Sequence, residues 1–230
     1  MNHAAHPLLA RRSSGVLLHI TSLPSPHGTG DLGAAARHFV DWLAAAGQRL
    51  WQILPLSPAG PGNSPYQSVS AFAGSPLMVD LDDLVQQGWL PWMARKGFDD
   101  HRCDFERVAP WRMACLRKAW DGFALRASEV CRSELAAFCE QQAHWLDDYA
   151  LFMVLDERHG GPWSLWPEVL ARRDAAALDA VREQSAHALG FWRFVQWRFW
   201  VQWQRLRHYA RERDVAIVGD ATIFVAHHRA

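Results

Sequence analysis

The sequence predicts an α/β protein in which about three strands of a parallel scaffold carry a large, mainly helical insertion. Three observations predict it. Continuous apolar runs of strand length stand at residues 15–20, 50–54 and 215–218, the pattern of short buried strands. One helix-length segment separates the first two, which is the spacing of a β-α-β unit with parallel neighbours. The strand pattern then disappears until Val215. From about Trp111 the intervening chain places apolar residues three and four apart with charges between them, which is the helical period. The chain accordingly divides into a tail (1–12), the first strands with a long loop (13–76), a mainly helical insertion subdomain (77–190), and a helix with the third strand (191–230).

Taken in order, Gly15-Val16-Leu17-Leu18-His19-Ile20 is the first strand, ended by a Pro- and Gly-rich stretch at 21–30. Leu32, Ala35, Ala36, Phe39, Val40 and Leu43 share one helical face, and Gly47 is a natural stop. The second strand, 50–54, is cut off by Pro55 and Pro58, which cannot donate to a ladder. Helices are expected over 111–127 and 131–157, with a loop at 159–167 and a weaker, more charged helix over 168–187. Gly190 precedes a long helix over 191–214. Its Trp192, Val195, Phe199, Leu206 and Tyr209 form one stripe, and Trp197, Trp200 and Trp203 form a second. A helix apolar on two faces belongs between layers, so this Trp ladder reads as core packing. Val215-Ala216-Ile217-Val218-Gly219-Asp220 closes the series as a central strand buried on both faces.

Composition narrows the function classes. Half of the 230 residues are hydrophobic, 21% are charged and the formal net charge is +0. Scattered, balanced charge argues against a nucleic-acid or anionic-membrane partner. Cys103, Cys115, Cys131 and Cys139 form no Cys-x-x-Cys pair and have no His at zinc-like spacing, so neither a metal nor another cofactor is called for, and buried thiols are expected. With no secretory pattern and no run long enough to span a bilayer, the expectation is a cytoplasmic protein. Nothing in the sequence sets an oligomeric state.

In a parallel α/β scaffold, ligands meet the loops at the carboxyl ends of strands. That rule selects 19–31, 57–66 and 220–228. The middle loop offers Asn63, Ser64, Tyr66 and Gln67 on a Pro- and Gly-stiffened frame, which suits hydrogen bonding to a polyhydroxylated ligand beside one aromatic face. Asp220 stands directly at the end of a buried strand, either as a contact on the active face or as a cap of its own turn. His19, inside an apolar run, reads as a core histidine with its hydrogen bonds met. Asp147-Asp148 and Asp82-Asp83 look like paired carboxylates, but adjacent positions on a helix do not face each other, so at least one of each pair is expected in solvent. No phosphate loop, nucleophile elbow or His-Glu-x-x-His helix is present.

Several long motifs stand in one order: 14–25 (Ser14-Gly15-Val16-Leu17-Leu18-His19-Ile20-Thr21-Ser22-Leu23-Pro24-Ser25), 27–33, Trp51-Gln52-Ile53-Leu54-Pro55-Leu56, Asn63-Ser64-Pro65-Tyr66-Gln67-Ser68, Leu146-Asp147-Asp148-Tyr149 and Gly219-Asp220. In these the chain resembles the 4-α-glucanotransferases of the amylomaltase or disproportionating-enzyme type, glycoside hydrolase family 77. The resemblance implies a (β/α)8 barrel with helical insertions, of which this chain carries the N-terminal portion. It implies action on α-1,4-glucans and maltooligosaccharides, with retention through a glycosyl-enzyme intermediate. It also implies that Ser64 and Tyr66 line sugar subsites, with Tyr66 stacking on a glucose ring, and that the strand of Asp220 leads into a further substrate-binding motif. With the loop chemistry of Asn63, the expected substrate contacts are Asn63, Ser64, Tyr66 and Asp220. Two departures are visible: Ala221-Thr222 replaces an Ile-Pro pair, and Pro61 stands where some members carry an aromatic. Family members are about twice as long, and their nucleophile, acid/base and third carboxylate match no residue here. The expectation is a chain truncated before its catalytic carboxylates, inactive alone, with a non-catalytic glucan-binding fragment as the alternative.

Overall fold

A computed structural model describes residues 12–92, 97–99, 102–222 and 224–225. The expected tail, apart from Arg12, and residues 223 and 226–228 of the third strand-end segment lie outside the described residues. Three strands form one parallel sheet: β1 (Gly15–Leu17), β2 (Leu50–Gln52) and β4 (Ala216–Val218), in the order β1-β2-β4. Gly15 sits opposite Leu50, and Leu50 opposite Ala216. β3 (Gln67–Ser68) pairs in parallel with β5 (Phe224–Val225) in a second, two-stranded sheet that the sequence did not announce. The strands are shorter than the apolar runs that contain them. Pro55 and Pro58 stop the second, and His19 precedes a 3-10 turn (Ile20–Ser22) after the first rather than belonging to the strand.

The crossover helix α1 (Ala34–Ala45) buries Ala36, Val40 and Leu43. It packs Phe39 edge-on against Trp51, with ring centroids 5.0 Å apart. Trp51 is fully buried, and its Nε1 donates to Leu18 O at 2.7 Å, which ties β2 to the segment after β1. A short helix α2 (Leu81–Gln86) follows the long loop, capped by Asp80, whose side chain accepts from the amides of Asp82 and Asp83.

The helical block consists of α3 (Phe105–Arg126), α4 (Glu129–His159), α5 (Glu168–Ala171), α6 (Ala175–Gln184) and α7 (Ala186–Arg211). Helix α3 begins six residues before Trp111 because Asp104 caps it and the helix runs on through Pro110. The single helix expected over 168–187 is two. Arg173 turns to φ 58° and Asp174 caps a new start by accepting from Ala177 N. Gly190 lies inside α7 rather than before it. A β-carbon there would come within 2.6 Å of the Trp120 ring, so the glycine lets α7 close on α3.

Helix α7 is the spine of the molecule. One apolar core runs from Trp51 and Val40 through Leu116, Phe123, Tyr149 and Leu151 to Phe194, Val195 and Trp197. The Trp ladder is only partly core, since Trp192 and Trp197 are buried while Trp200 is 44% exposed. β4 also corrects its expectation. Its three residues are half-buried rather than covered on both faces, because among the described residues it pairs only with β2. β1 is likewise paired only with β2, and its Leu17 stands open to solvent. No disulfide joins the cysteines. Cys115 is buried, but Cys103, Cys131 and Cys139 are only partly so, against the expected burial of all four.

Candidate functional site

The three strands are parallel, so their exit loops leave from one edge of the sheet, and those after β2 and β4 meet there. After β2 the chain turns through a 3-10 segment (Pro61–Asn63) in which Gly62 and Asn63 both take positive φ. Asparagine tolerates that region better than most residues. Gly60 N donates to Gln67 O at 2.6 Å, and Gln67 N donates to Ser64 O at 3.2 Å. The Asn63–Tyr66 corner is thereby pinned from both ends.

Within this corner the Ser64 hydroxyl accepts from Tyr66 N at 3.4 Å. Tyr66 in turn reaches across to the third strand: its hydroxyl donates to Asp220 Oδ2 at 2.8 Å. This one bond joins loops 154 residues apart in sequence. Of the two roles left open for Asp220, the turn cap is present, and the second oxygen bonds a loop residue. Oδ1 accepts from Ala221 N at 2.8 Å, capping the turn, while Oδ2 takes Tyr66. The Asp220 carboxylate raises the Tyr66 phenol above its ordinary pKa, chiefly by accepting its hydrogen bond. Both side chains face solvent. Asn63 is exposed as well and Ser64 half-buried. All four expected contacts therefore line one accessible corner.

Beside it opens a cleft of about 600 Å³. Its walls include Leu56, Phe72, Trp145, Trp200, Trp203 and Asp220. Phe72 is 68% exposed and stacks on Trp145 at 6.1 Å, with planes 19° apart. The helical block thus contributes aromatic walls to a cleft whose floor is the strand ends. Trp200, read from sequence as packing, is one of those walls.

The cleft holds its shape because α7 grips the loop from behind. Gln196, 2% exposed, forms an amide pair with Gly74: Gly74 N donates to Oε1 at 2.8 Å and Nε2 donates to Gly74 O at 2.9 Å. Six residues on, Gln202 makes the same pair with Asp80, at 2.8 and 3.1 Å. A side chain at Gly74 would meet the Phe199 ring at 2.1 Å, so the loop backbone lies flat on the helix. Sequence reasoning missed both glutamines. The available signal was Gln202 falling on the apolar stripe of Val195, Phe199 and Leu206, where an unpartnered polar residue would be costly.

Beneath the loop lies a buried charge cluster, also unforeseen. Asp83 accepts from Arg198, from Arg205 Nη1 at 3.0 Å and from Gln202 at 2.8 Å. Burial acts to raise its pKa, but Arg198 and the other donors outweigh it and the net shift is downward. Asp80 has no such partner. Burial, with the nearby charges of Asp31 and Asp83, pushes it up to about 7. Arg112, fully buried, pairs with Asp31 at 3.4 Å and donates to Val79 O at 2.5 Å. His19 is not the satisfied core histidine expected. It is half-buried, its Nδ1 has no hydrogen-bond partner among the described residues, and burial lowers its pKa. The adjacent aspartates diverge as helical geometry requires, Asp147 to Arg193 and Asp148 to Arg173, each at 2.7 Å. Asp82 is exposed on His27, while its neighbour Asp83 is buried. Among the described residues no group of three His, Cys, Asp or Glu is placed to hold a metal ion, and no helix is long and apolar enough to cross a membrane.

Comparison with known proteins decides the family. A family model described as 4-alpha-glucanotransferase matches residues 18–230. The chain belongs to the 4-alpha-glucanotransferase family. It is 45% identical over 216 residues to a 4-alpha-glucanotransferase of Thermus thermophilus and 41% identical over 224 residues to one of Synechocystis sp.. These alignments cover 94% and 96% of this chain but 43% and 44% of the relatives. The chain therefore spans less than half the length of the curated members it matches. Among solved structures, the amylomaltase of Streptococcus agalactiae in complex with acarbose superposes with a TM-score of 0.89 at 34% identity, over 95% of this chain and 45% of that one. The amylomaltase of Corynebacterium glutamicum shares the fold alone, with a TM-score of 0.63 at 17% identity. The expected fold class, the first strands of a (β/α)8 barrel with a helical insertion, is the one this family superposition supports.

Proposed function

We propose that this chain supplies the first strands and the substrate-binding loops of a cytoplasmic 4-α-glucanotransferase that disproportionates α-1,4-glucans and maltooligosaccharides with retention of configuration. The observation that carries the reading is the Tyr66–Asp220 hydrogen bond at the strand ends, in a chain of this family. In this reading Asp220 Oδ2 accepts from a glucose hydroxyl, Tyr66 offers its ring face and its hydroxyl to the same sugar, and Ser64 and Asn63 fix the corner on which Tyr66 stands. The aromatic cleft behind them takes the rest of a glucan chain, whose C–H faces pack on rings. The outer edges of β1 and β4, and the exposed Leu17, support a chain that works as part of a closed barrel, since closure is what removes strand edges. Thiols without disulfides support a reducing compartment.

Retaining transfer needs two carboxylates flanking the scissile bond, one as nucleophile and one as acid/base. The resemblance matches neither role to a residue of this chain, and Asp220, the one carboxylate lining the cleft, is hydrogen-bonded through both oxygens, so in this reading these 230 residues bind and orient sugar without turning it over. Incubating the purified chain with maltotriose is expected to give neither glucose nor longer oligomers, while titration with maltoheptaose shows binding that Tyr66→Ala weakens. Release of glucose and maltopentaose by the chain alone would overturn the non-catalytic part. Maltoheptaose binding that ignores Tyr66→Ala and Asp220→Ala would overturn the site.

A further inference from the structure

The helical block has a second cavity, of about 270 Å³, that shares no lining residue with the strand-end cleft. Its floor is apolar: Leu151 and Leu155 of α4 and Leu178 of α6 are all buried. One wall is the pair Trp163 and Trp166, from the turn between α4 and α5. Trp166 is held in place, its Nε1 donating to Gly160 O at 3.0 Å and its ring lying 5.5 Å from Phe152. Trp163 is not enclosed in this way and remains 38% exposed. At the rim, Arg173 Nη2 donates to Asp148 Oδ1 at 2.7 Å, with both side chains largely in solvent.

Arg173 is the unusual member. It occupies the left-handed region, φ 58°, at the end of α5, where glycine is the residue of lowest conformational cost. From this position its side chain closes the rim against α4. The structure thus accepts backbone strain at a point where a guanidinium stands over an aromatic pocket, and such strain is a pointer to function when the pocket supports one.

We propose that this cavity is a second carbohydrate site, seating one pyranose ring of an α-1,4-glucan whose remaining residues run over the surface. The identity of the sugar rests on the glucan reading given above. Three features select this ligand class. The Arg173–Asp148 pair is already neutral, so an anion or a cation gains nothing without breaking it. A carboxylate oxygen beside guanidinium N–H groups offers an acceptor and a donor together, matching two neighbouring hydroxyls of one ring. The buried leucines and the indole of Trp163 take the apolar face, since the C–H groups of a sugar are attracted to the electron-rich face of an aromatic ring. The volume lies just below the ~300–1,000 Å³ of pockets that enclose drug-sized ligands, which suits one ring rather than an oligosaccharide.

The test is electrophoresis of the whole chain through native gels with and without glycogen, on five proteins: the wild type, Trp163→Ala, Arg173→Gly, the double variant Tyr66→Ala/Asp220→Ala and that double variant with Trp163→Ala added. Arg173→Gly removes the guanidinium while relieving the positive φ, so its fold is secure even where Trp163→Ala is destabilised. Glycogen is expected to retard the wild type, and both Trp163→Ala and Arg173→Gly are expected to weaken that retardation at least three-fold. The double variant keeps part of the retardation, and adding Trp163→Ala to it abolishes the remainder. Retardation unchanged in Arg173→Gly and Trp163→Ala, or no retardation of the wild type, overturns the inference. Dependence on Trp163 without dependence on Tyr66 and Asp220 would instead sink the strand-end site and leave this one standing.

Discussion

Asp83, in the first turn of α2, and Asp220, on the loop after β4, are both carboxylates of one barrel segment, yet they do opposite things. Asp83 is enclosed, 12% exposed at the side chain, and saturated by two arginines and a glutamine from α7. Asp220 stands in solvent with one neutral partner, the Tyr66 hydroxyl, and one backbone amide. Burial decides the difference. A carboxylate taken out of water must be fully paired, and once paired it has nothing to offer a ligand. An exposed carboxylate at a strand end keeps its lone pairs available. The cluster around Asp83 is therefore scaffold, while Asp220 keeps a solvent-facing carboxylate at the strand end.

The largest expected effect tests the buried side. Arg198→Met leaves Asp83 in the interior with only Arg205 and Gln202, and breaking a buried pair in this way costs about 3 kcal/mol, read as a shift in the urea midpoint. Adding Asp83→Asn to it is expected to restore part of the loss. A double variant no better than the single would show that the arginine acts by packing on Trp89 and Trp197, whose rings lie 5.2 and 4.8 Å from it.

Next comes the contact that transmits the scaffold to the cleft. Gly74→Ala puts a methyl into the Phe199 ring and is expected to cost about 1–3 kcal/mol as overpacking, with weaker maltoheptaose binding because the loop must lift. Stability lost with binding intact would separate the loop from the cleft.

The third prediction concerns pH. Asp80 ionises near 3.8 in the unfolded chain and near 7 in the fold. Its contribution to stability is complete below about pH 4 and is lost as pH rises toward 7. Asp83, shifted downward, has the opposite sign: its contribution is present above its ordinary pKa and is lost as pH falls below it. Asp80→Asn keeps the cap on α2 and removes the penalty. It is expected to be more stable than the wild type at pH 8, at about 1.4 kcal/mol for each unit of raised pKa, and to lose this advantage as the pH falls to 4. Parallel pH profiles for the two proteins would contradict this.

The smallest effect falls on the exposed side. Tyr66→Phe deletes one hydrogen bond that lies in solvent, where water replaces it readily. It is expected to leave the urea midpoint nearly unchanged while weakening maltoheptaose binding several-fold. A change in stability larger than that in binding would move Tyr66 from the corner into the scaffold.

The sequence by itself determined the strand–helix–strand start, the long helical block and the loops that carry Ser64, Tyr66 and Asp220. Apolar period, Pro and Gly punctuation and strand-end position are all local signals. It also overstated what it could see. Residues 168–187 read as one helix because the break at Arg173 uses a conformation no local pattern favours for arginine, and Gly190 read as a boundary because its partner, Trp120, lies on another helix. Tertiary structure alone decided that Asp83, Gln196, Arg198 and Gln202 are buried and paired, that Trp200 faces the cleft while Trp197 does not, and that Tyr66 meets Asp220 across 154 residues. The reason is physical. Patterning follows from which side of an element meets water, and that is written every two or four residues. Which polar group meets which depends on how distant elements pack, and no window along the chain contains both partners.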